Sequence, residues 1–490
     1  MEAVTDRQPG AVHATPCGSE RRGCGRFAYG VAGGSLLLFA VLLAALSRGL
    51  AAEQVTREHA LVWLAGGGVV AGALYLLGLY GARRAGATLA PAWIVAAALT
   101  ARLIVSTSPP MLESDYQRYL WDGAVTAHGI SAYRHAPADI VSGTVSGPDA
   151  DRLAALAGKG GPVLQSINHP SLTTIYPPVA QASFAAAYAI APFDPNGLRI
   201  VFCLAEAGSV LLLGRLLKAL SMPASQIAWI AWNPLLLREV YSSLHMDALL
   251  LPLIAGALLA AIRSRPGVSA ALLVVASAVK VWPVVLAPLV LRPMVGQWRR
   301  AVLVVPGLVV LALLLWLPVL LVPHGENSGL LAYGRGWQNN DGFFRAGIWV
   351  TERLLQLVHV EPWHSHSVMR IASASALAGL LLWLLRAPAR SVDDLVKRAL
   401  IIVGAVFLLS PTQFPWYWLW CLPLLTLRPN LPLLAYSALL PIYYVQDQLV
   451  YPLSHWLQHA PVWALLAYSA VRSACTRRCL PCSSPEASRA

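Results

Sequence analysis

Charge is what this chain has least of. Asp, Glu, Lys and Arg make up 12% of the 490 residues, against 57% hydrophobic residues. A soluble domain carries roughly twice that share of charge, so an ordinary soluble protein is excluded. Acids are scarcer than bases, 23 against 36, for a net charge of +13. Such an excess also occurs in nucleic-acid binders. Here, however, the bases sit in short clusters between apolar runs, where positive-inside signals belong, so no nucleic-acid partner is expected. Short segments of alternating polarity are missing, which excludes a lipid-facing β-barrel. No internal repeat is visible, which counts against a transporter built from repeated halves. The first apolar run follows ERRGCGR (20–26) and lacks a convincing small-residue cleavage site, so it reads as an uncleaved first helix. Cysteines are few. Cys17 and Cys24 lie near one end and CTRRCLPC (475–482) near the other, in spacings that fit no standard zinc pattern. Cys203 and Cys421 read as apolar span residues.

What the chain does have is long apolar runs. YGVAGGSLLLFAVLLAAL (29–46) and AVLVVPGLVVLALLLWLPVLLV (301–322) carry no acid or base and are long enough to cross a bilayer core. Many such runs recur. The expected fold is therefore all-α, a polytopic transmembrane helical bundle of about 13 spans in a cell membrane. With Arg21, Arg22 and Arg26 cytoplasmic, spans at about 28–47, 60–81 and 88–106 lead to a long outer polar region, about 107–197. If 176–192 lies along the outer surface, or dips in and returns, every later basic cluster falls inside. Both termini are then cytoplasmic, a reducing compartment that disfavours disulfides. Segments 268–281 and 282–296 are too short to cross singly and read as a hairpin or as one span kinked at Pro283. A second outer region covers about 323–366. The expected organisation is a disordered tail over 1–26, a transmembrane domain over 27–473 and a Cys-containing tail over 474–490.

Against this background ESDYQRYLWDG (113–123) stands out, with three carboxylates, two Tyr, one Trp and one Arg. Asp115, Arg118, Tyr119 and Asp122 share a face if the segment is helical. One reading is a solvated loop helix with internal Asp–Arg pairs. The other is a carboxylate at the membrane surface acting as general base, with Glu113 beside it. In WNPLLLREVYSSLHMDALL (232–250), Glu239, His245 and Asp247 fall where one span ends and the next begins. Asp247 is either a helix-start charge or a site residue. Lys280 is a lone cation in an apolar run, which marks a functional position unless it snorkels to the interface. YGRGWQNNDGFFR (333–345) gathers Arg335, Trp337, Asp341 and Arg345, a mixture suited to phosphate and sugar or to an interfacial belt. SPTQFPWYWLW (410–420) also resembles a belt, although Gln413 and Trp416 suit a cavity wall.

Taken in order, SDYQRYLWDG, HGISAYRHAPAD (128–139), NHPSLTTIYPPVAQ (168–181), the 232–250 segment, SAVKVWPVVLAP and SPTQFPWYWLW resemble the GT-C superfamily of integral-membrane glycosyltransferases. The likeness is to bacterial polyprenyl-phosphate-mannose-dependent mannosyltransferases, over roughly residues 88 to 426. It implies two large extracytoplasmic loops and an outward-facing site. It also implies a polyprenyl-phosphate sugar as donor, an acceptor hydroxyl on an unidentified glycolipid, polysaccharide or other molecule, and Asp115 as general base in an inverting displacement. His169 and Tyr176 join the substrate-binding candidates through NHPSLTTIYPPVAQ. The family's Gly-His-x-Asp stands here as Leu244-His245-Met246-Asp247, without the glycine. No cofactor is expected; a divalent cation on Glu113 and Asp115 is the alternative those oxygens leave open. The competing function is a transporter or flippase of a lipid-linked saccharide, which would line a path through the whole bundle with charge rather than gather it at one face.

Overall fold

The computed structural model describes residues 17–478, apart from 324, 360, 362, 363 and 451. Among the described residues the chain is helical, with no strand beyond a single isolated bridge between Asn339 and Thr412. The opening is a tight three-helix group. Helix α1 (Cys17–Ala51) packs along α2 (Arg57–Arg84) and against α3 (Pro91–Ser106). Helix α1 thus begins inside the segment expected to be a tail, while residues 1–16 and 479–490 lie outside the described part, Cys479 and Cys482 with them.

The first long polar region is folded on itself. It contains α4 (Asp115–Ala127), α5 (Ala150–Gln165) and α6 (Pro178–Ile190). Pro177 and Pro178 occupy the start of α6, where a missing N–H costs nothing. Gly123 lets α4 lie directly on α6, since a Cβ there would come within 2.4 Å of the Phe184 carbonyl oxygen. The chain then enters α7 (Pro195–Ala219). Arg199 on α7 reaches the carbonyls of Ser106 (3.1 Å) and Ser108 (2.6 Å), closing the C-terminal end of α3 with a cation. Deeper in, Arg102 of α3 and Glu206 of α7 form a buried bidentate pair (2.6 and 3.1 Å), and Tyr241 donates to the same carboxylate at 2.5 Å. Two buried charges are tolerable because they face each other with their hydrogen bonds filled.

Tyr241 belongs to a wide helical turn, Leu237–Ser242. Beyond it the chain bends by 111° before running into Met246–Ile262, whose regular part is α8 (Leu250–Ile262). Leu244 makes this bend with φ of 60°, and the His245 N–H closes it on the Glu239 carbonyl at 2.9 Å. The missing glycine therefore does not prevent the tight entry: leucine itself adopts the left-handed conformation. That strain is about 1–2 kcal/mol, whereas deleting a fully buried leucine side chain costs about 2–5 kcal/mol. Leu244→Gly is accordingly expected to lower stability by about 1–3 kcal/mol rather than raise it. A thermal midpoint at or above wild type would contradict this balance.

Next come α9 (Pro266–Ser277), a break at 278–281 that carries Lys280, and a short apolar stretch, Trp282–Met294. The break thus falls at Lys280, ahead of Pro283. Helix α10 (Trp298–Leu320) is almost bare, with only 6% of its most apolar window buried, as suits a helix whose surroundings are lipid. The second polar region folds into α11 (Gly329–Gly336) and α12 (Gly342–Leu357), followed by α13 (Ser365–Leu385), α14 (Val392–Leu409) and α15 (Leu453–Arg478). Residues 337–341 are stitched to 410–413: Asn339 N–H donates to the Pro411 carbonyl (3.0 Å) and Gln413 N–H to the Asn339 carbonyl (2.9 Å).

Among the described residues five helices are long and apolar enough to cross a membrane, or six if the bent pair counts as one. The other apolar runs, such as Pro91–Ser106, Pro266–Ser277 and Leu431–Val445, are shorter than a full span. Proline-led starts, the wide turn and tight helical turns divide what reads in sequence as continuous apolar stretches.

Candidate active site

The two polar regions, the bend before Met246, the break at 278–281 and the 410–420 stretch converge on one cavity of about 570 Å³. Asp115 opens α4 at its edge. It keeps about a quarter of its side-chain exposure, and one oxygen accepts from Asn168 Nδ2 at 2.9 Å. Burial pushes its carboxyl above the ordinary carboxylate range, against the opposing effects of the Asn168 hydrogen bond and the Lys280 charge. A carboxylate that is reachable, oriented and made more basic than usual is suited to take a proton from a hydroxyl.

Across the cavity Lys280 is held in an aromatic and acidic clamp. Its ammonium lies 2.8 Å from Asp247 Oδ1 and 3.6 Å over the Tyr417 ring, with Trp420 at 5.0 Å. Trp420 Nε1 donates to the same Asp247 oxygen at 2.6 Å, so Asp247 is committed to fixing the lysine and the indole. Tyr417 is pinned by the Tyr333 hydroxyl at 2.7 Å. Lys280 thus stays partly open to the cavity while its stem and charge are fixed, which is what a fixed anion-binding cation requires. Apolar side chains, among them Val281, Leu330 and Val406, complete the wall.

A family model described as alpha-(1->6)-mannopyranosyltransferase, N-terminal domain, of the MptA_B family, matches residues 27–296, a little over half of the chain. The chain belongs to this family. It is a mannosyltransferase of the membrane, as the resemblance implied. No curated protein and no solved structure matches it. Within this mannosyltransferase the matched stretch carries Asp115, Asp247 and Lys280, whereas the aromatic half of the lysine clamp, Tyr417 and Trp420, lies beyond it.

Ten of the residues singled out from sequence line the cavity. On the α4 side these are Glu113, Asp115, Arg118 and Tyr119, joined by His169 and Tyr176 from the loop before α6. Asp247, Lys280, Trp337 and Trp416 complete the set. Tyr119 is stacked between α4 and α6 on Phe184 (4.5 Å) and meets Tyr176 edge-on, and His169 meets Trp337 edge-on at 4.7 Å. Seven singled-out residues do not line it. Asp122 is buried behind Arg118, pairing with it at 3.0 Å and accepting from Gln181 at 3.0 Å. The expected helix-face grouping is real, and Asp122 serves it by aiming Arg118, which also donates to the Leu172 carbonyl. Glu239 and His245 are fully buried behind the wall. Arg335 is exposed on α11, Asp341 is buried at the start of α12 with Gln338 at 2.7 Å, and Arg345 sits one turn on, 3.5 Å from Asp341. These last three lie in the second region, outside the cavity lining. Gln413 is likewise buried in backbone contacts, to the Leu408 and Ser410 carbonyls.

Sequence reasoning missed Asn168, Tyr333, Tyr417 and Trp420. All four lie inside stretches already singled out, so the signal was the stretch and not the individual residue. Among the described residues no three His, Cys, Asp or Glu side chains are grouped so as to hold a metal ion.

Glu113 has a measurable consequence of its own. Burial, reinforced by the charge of Asp115, pushes its carboxyl from 4.5 up to about 8. Between those values the unfolded chain has released this proton while the native protein retains it, so native stability falls as pH rises. Glu113→Gln removes that loss. Its thermal midpoint is expected to exceed wild type at pH 8 to 9 and to match it at pH 4; an equal shift at both would place the effect elsewhere.

Proposed function

We propose that this mannosyltransferase moves mannose from a polyprenyl-phosphate donor to an acceptor hydroxyl on the outer side of a cell membrane. Asp115 is the general base and Lys280 the main partner of the leaving phosphate. The observation that carries this reading is the shared cavity. A reachable carboxylate and a clamped cation face the same space, and much of the rest of the wall is aromatic and apolar. Sugar rings pack on aromatic faces, and a lipid phosphate presents an anion on an apolar chain. Asp115 takes the acceptor proton as the acceptor oxygen bonds to the anomeric carbon. The carbon–oxygen bond to phosphate breaks, and its electron pair leaves on the phosphate oxygen beside Lys280. The transition state is oxocarbenium-like, as in other glycosyl transfers.

One base and one displacement invert the anomeric centre. The family's printed linkage is alpha, so the matching donor is a β-linked mannosyl phosphate. The test uses purified protein in liposomes, a membrane-lipid extract as source of acceptor, and mannose labelled on either a polyprenyl phosphate or a nucleotide. Label is expected to enter product from the lipid donor alone. Direct use of the nucleotide donor would overturn the reading.

A further inference from the structure

Behind the cavity wall, His245 sits between two carboxylates with nothing bonded to its ring. It is fully buried, and neither Nδ1 nor Nε2 has a hydrogen-bond partner. Nδ1 lies 3.9 Å from Asp115 Oδ2, and Nε2 lies 3.6 Å from Glu239 Oε2. Trp416 holds the ring plane by stacking at 3.6 Å. Glu239 is itself fixed, since the Tyr444 hydroxyl lies 2.9 Å from both of its oxygens. Buried polar groups are normally satisfied. The imidazole has a carboxylate near each nitrogen and falls short of hydrogen-bond distance to both by under 1 Å, so a small shift would bond it to either.

We propose that His245 is a positioning residue that, backed by Glu239, receives the acceptor's proton from Asp115. This rests on Asp115 being the base. In the resting protein Nε2–H points to the Glu239 carboxylate and the Nδ1 lone pair faces Asp115. During transfer the acceptor proton reaches Asp115 and then Nδ1. The resulting imidazolium lies between two carboxylates, and the negative charge leaves with the phosphate. When products depart, the proton returns through Asp115 to water in the open cavity. The relay's charged surroundings are Arg238 and Glu239 from the wide turn, Asp247 after the bend, Lys280 from the break and Glu113 with Asp115. Tyr444 completes them, and Arg238 stacks on its ring at 4.5 Å. Burial and the Arg238 and Lys280 charges oppose the imidazolium, so the proton rests on His245 only while both carboxylates close on it.

Glu239→Gln keeps a partner for Tyr444 and removes the charge that stabilises the imidazolium. In the liposome assay with the lipid donor it is expected to lower kcat about 10- to 100-fold and leave the donor KM within about twofold. The acid limb of its kcat profile should move to lower pH, because Asp115 loses a nearby negative charge. His245→Ala should lose activity that added imidazole restores. Wild-type kcat in Glu239→Gln, with Asp115→Asn inactive, overturns the relay and leaves the base in place. A rise in donor KM together with a lower thermal midpoint, at unchanged kcat and pH profile, assigns Glu239 a structural role and overturns the relay too. An active Asp115→Asn overturns the base reading itself. If His245→Ala does not accumulate, Glu239→Gln decides alone.

Discussion

Asp115→Asn is expected to lower mannosyl transfer by about 10³-fold or more, with folded protein at wild-type levels. The substitution preserves shape, and the asparagine oxygen can still accept from Asn168, which now donates to Asp115 at 2.9 Å. What disappears is the capacity to take a proton. The donor KM should change little, because the phosphate partner Lys280 is held by Asp247 and the aromatic clamp and not by Asp115. In the wild type, the rate should fall on acidification at a pH above the ordinary carboxylate range of about 4. Burial raises the Asp115 pKa, and the base works only when ionised. Steady-state rates from pH 4 to 8 check both statements. Transfer by Asp115→Asn within tenfold of wild type would remove Asp115 from the chemistry.

Lys280→Met carries the second large effect, a loss of about 10²–10³ in kcat, the usual consequence of removing one fixed stabiliser of developing charge. The single variant also leaves Asp247 buried beside an empty position, which costs about 3–5 kcal/mol in stability. Pairing it with Asp247→Asn separates the two consequences. The double variant should recover most of the thermal midpoint, since the Trp420 indole can still donate to the asparagine oxygen, but none of the rate. A double variant with wild-type kcat would show that the cation serves the fold alone.

The sequence made the two central charges legible for the same reason, their scarcity. Asp115 sits in a crowd of acids and aromatics, and Lys280 interrupts an apolar run, in a chain where only 12% of residues are charged. The partners that give these charges their chemistry were not legible, because they arrive from far along the chain. Trp420 meets Asp247 across 173 positions and Asn168 meets Asp115 across 53. Periodicity reports which face of an element is apolar; it does not report which elements meet. The same limit explains Asp341 and Arg345, whose composition suits phosphate but whose place is the start of α12. All-helical architecture was legible from the length of the apolar runs, but the number of full-length helices was not. Local backbone events such as the wide turn at Leu237–Ser242 and the left-handed Leu244 cut those runs without any signature in hydropathy. Leu244 shows the point at a single residue: where a rule asks for glycine, a buried leucine takes the left-handed conformation itself.

The most direct measurement of the central claim is the stereochemistry of transfer. Purified protein in liposomes would receive mannose attached to polyprenyl phosphate in either the α or the β configuration, and the linkage in the product would be assigned by NMR. A single displacement driven by Asp115 predicts that only the β-linked donor is used and that the product is α-linked. Use of the α-linked donor with its configuration retained in the product would require two successive displacements through a covalent intermediate, and would contradict the account.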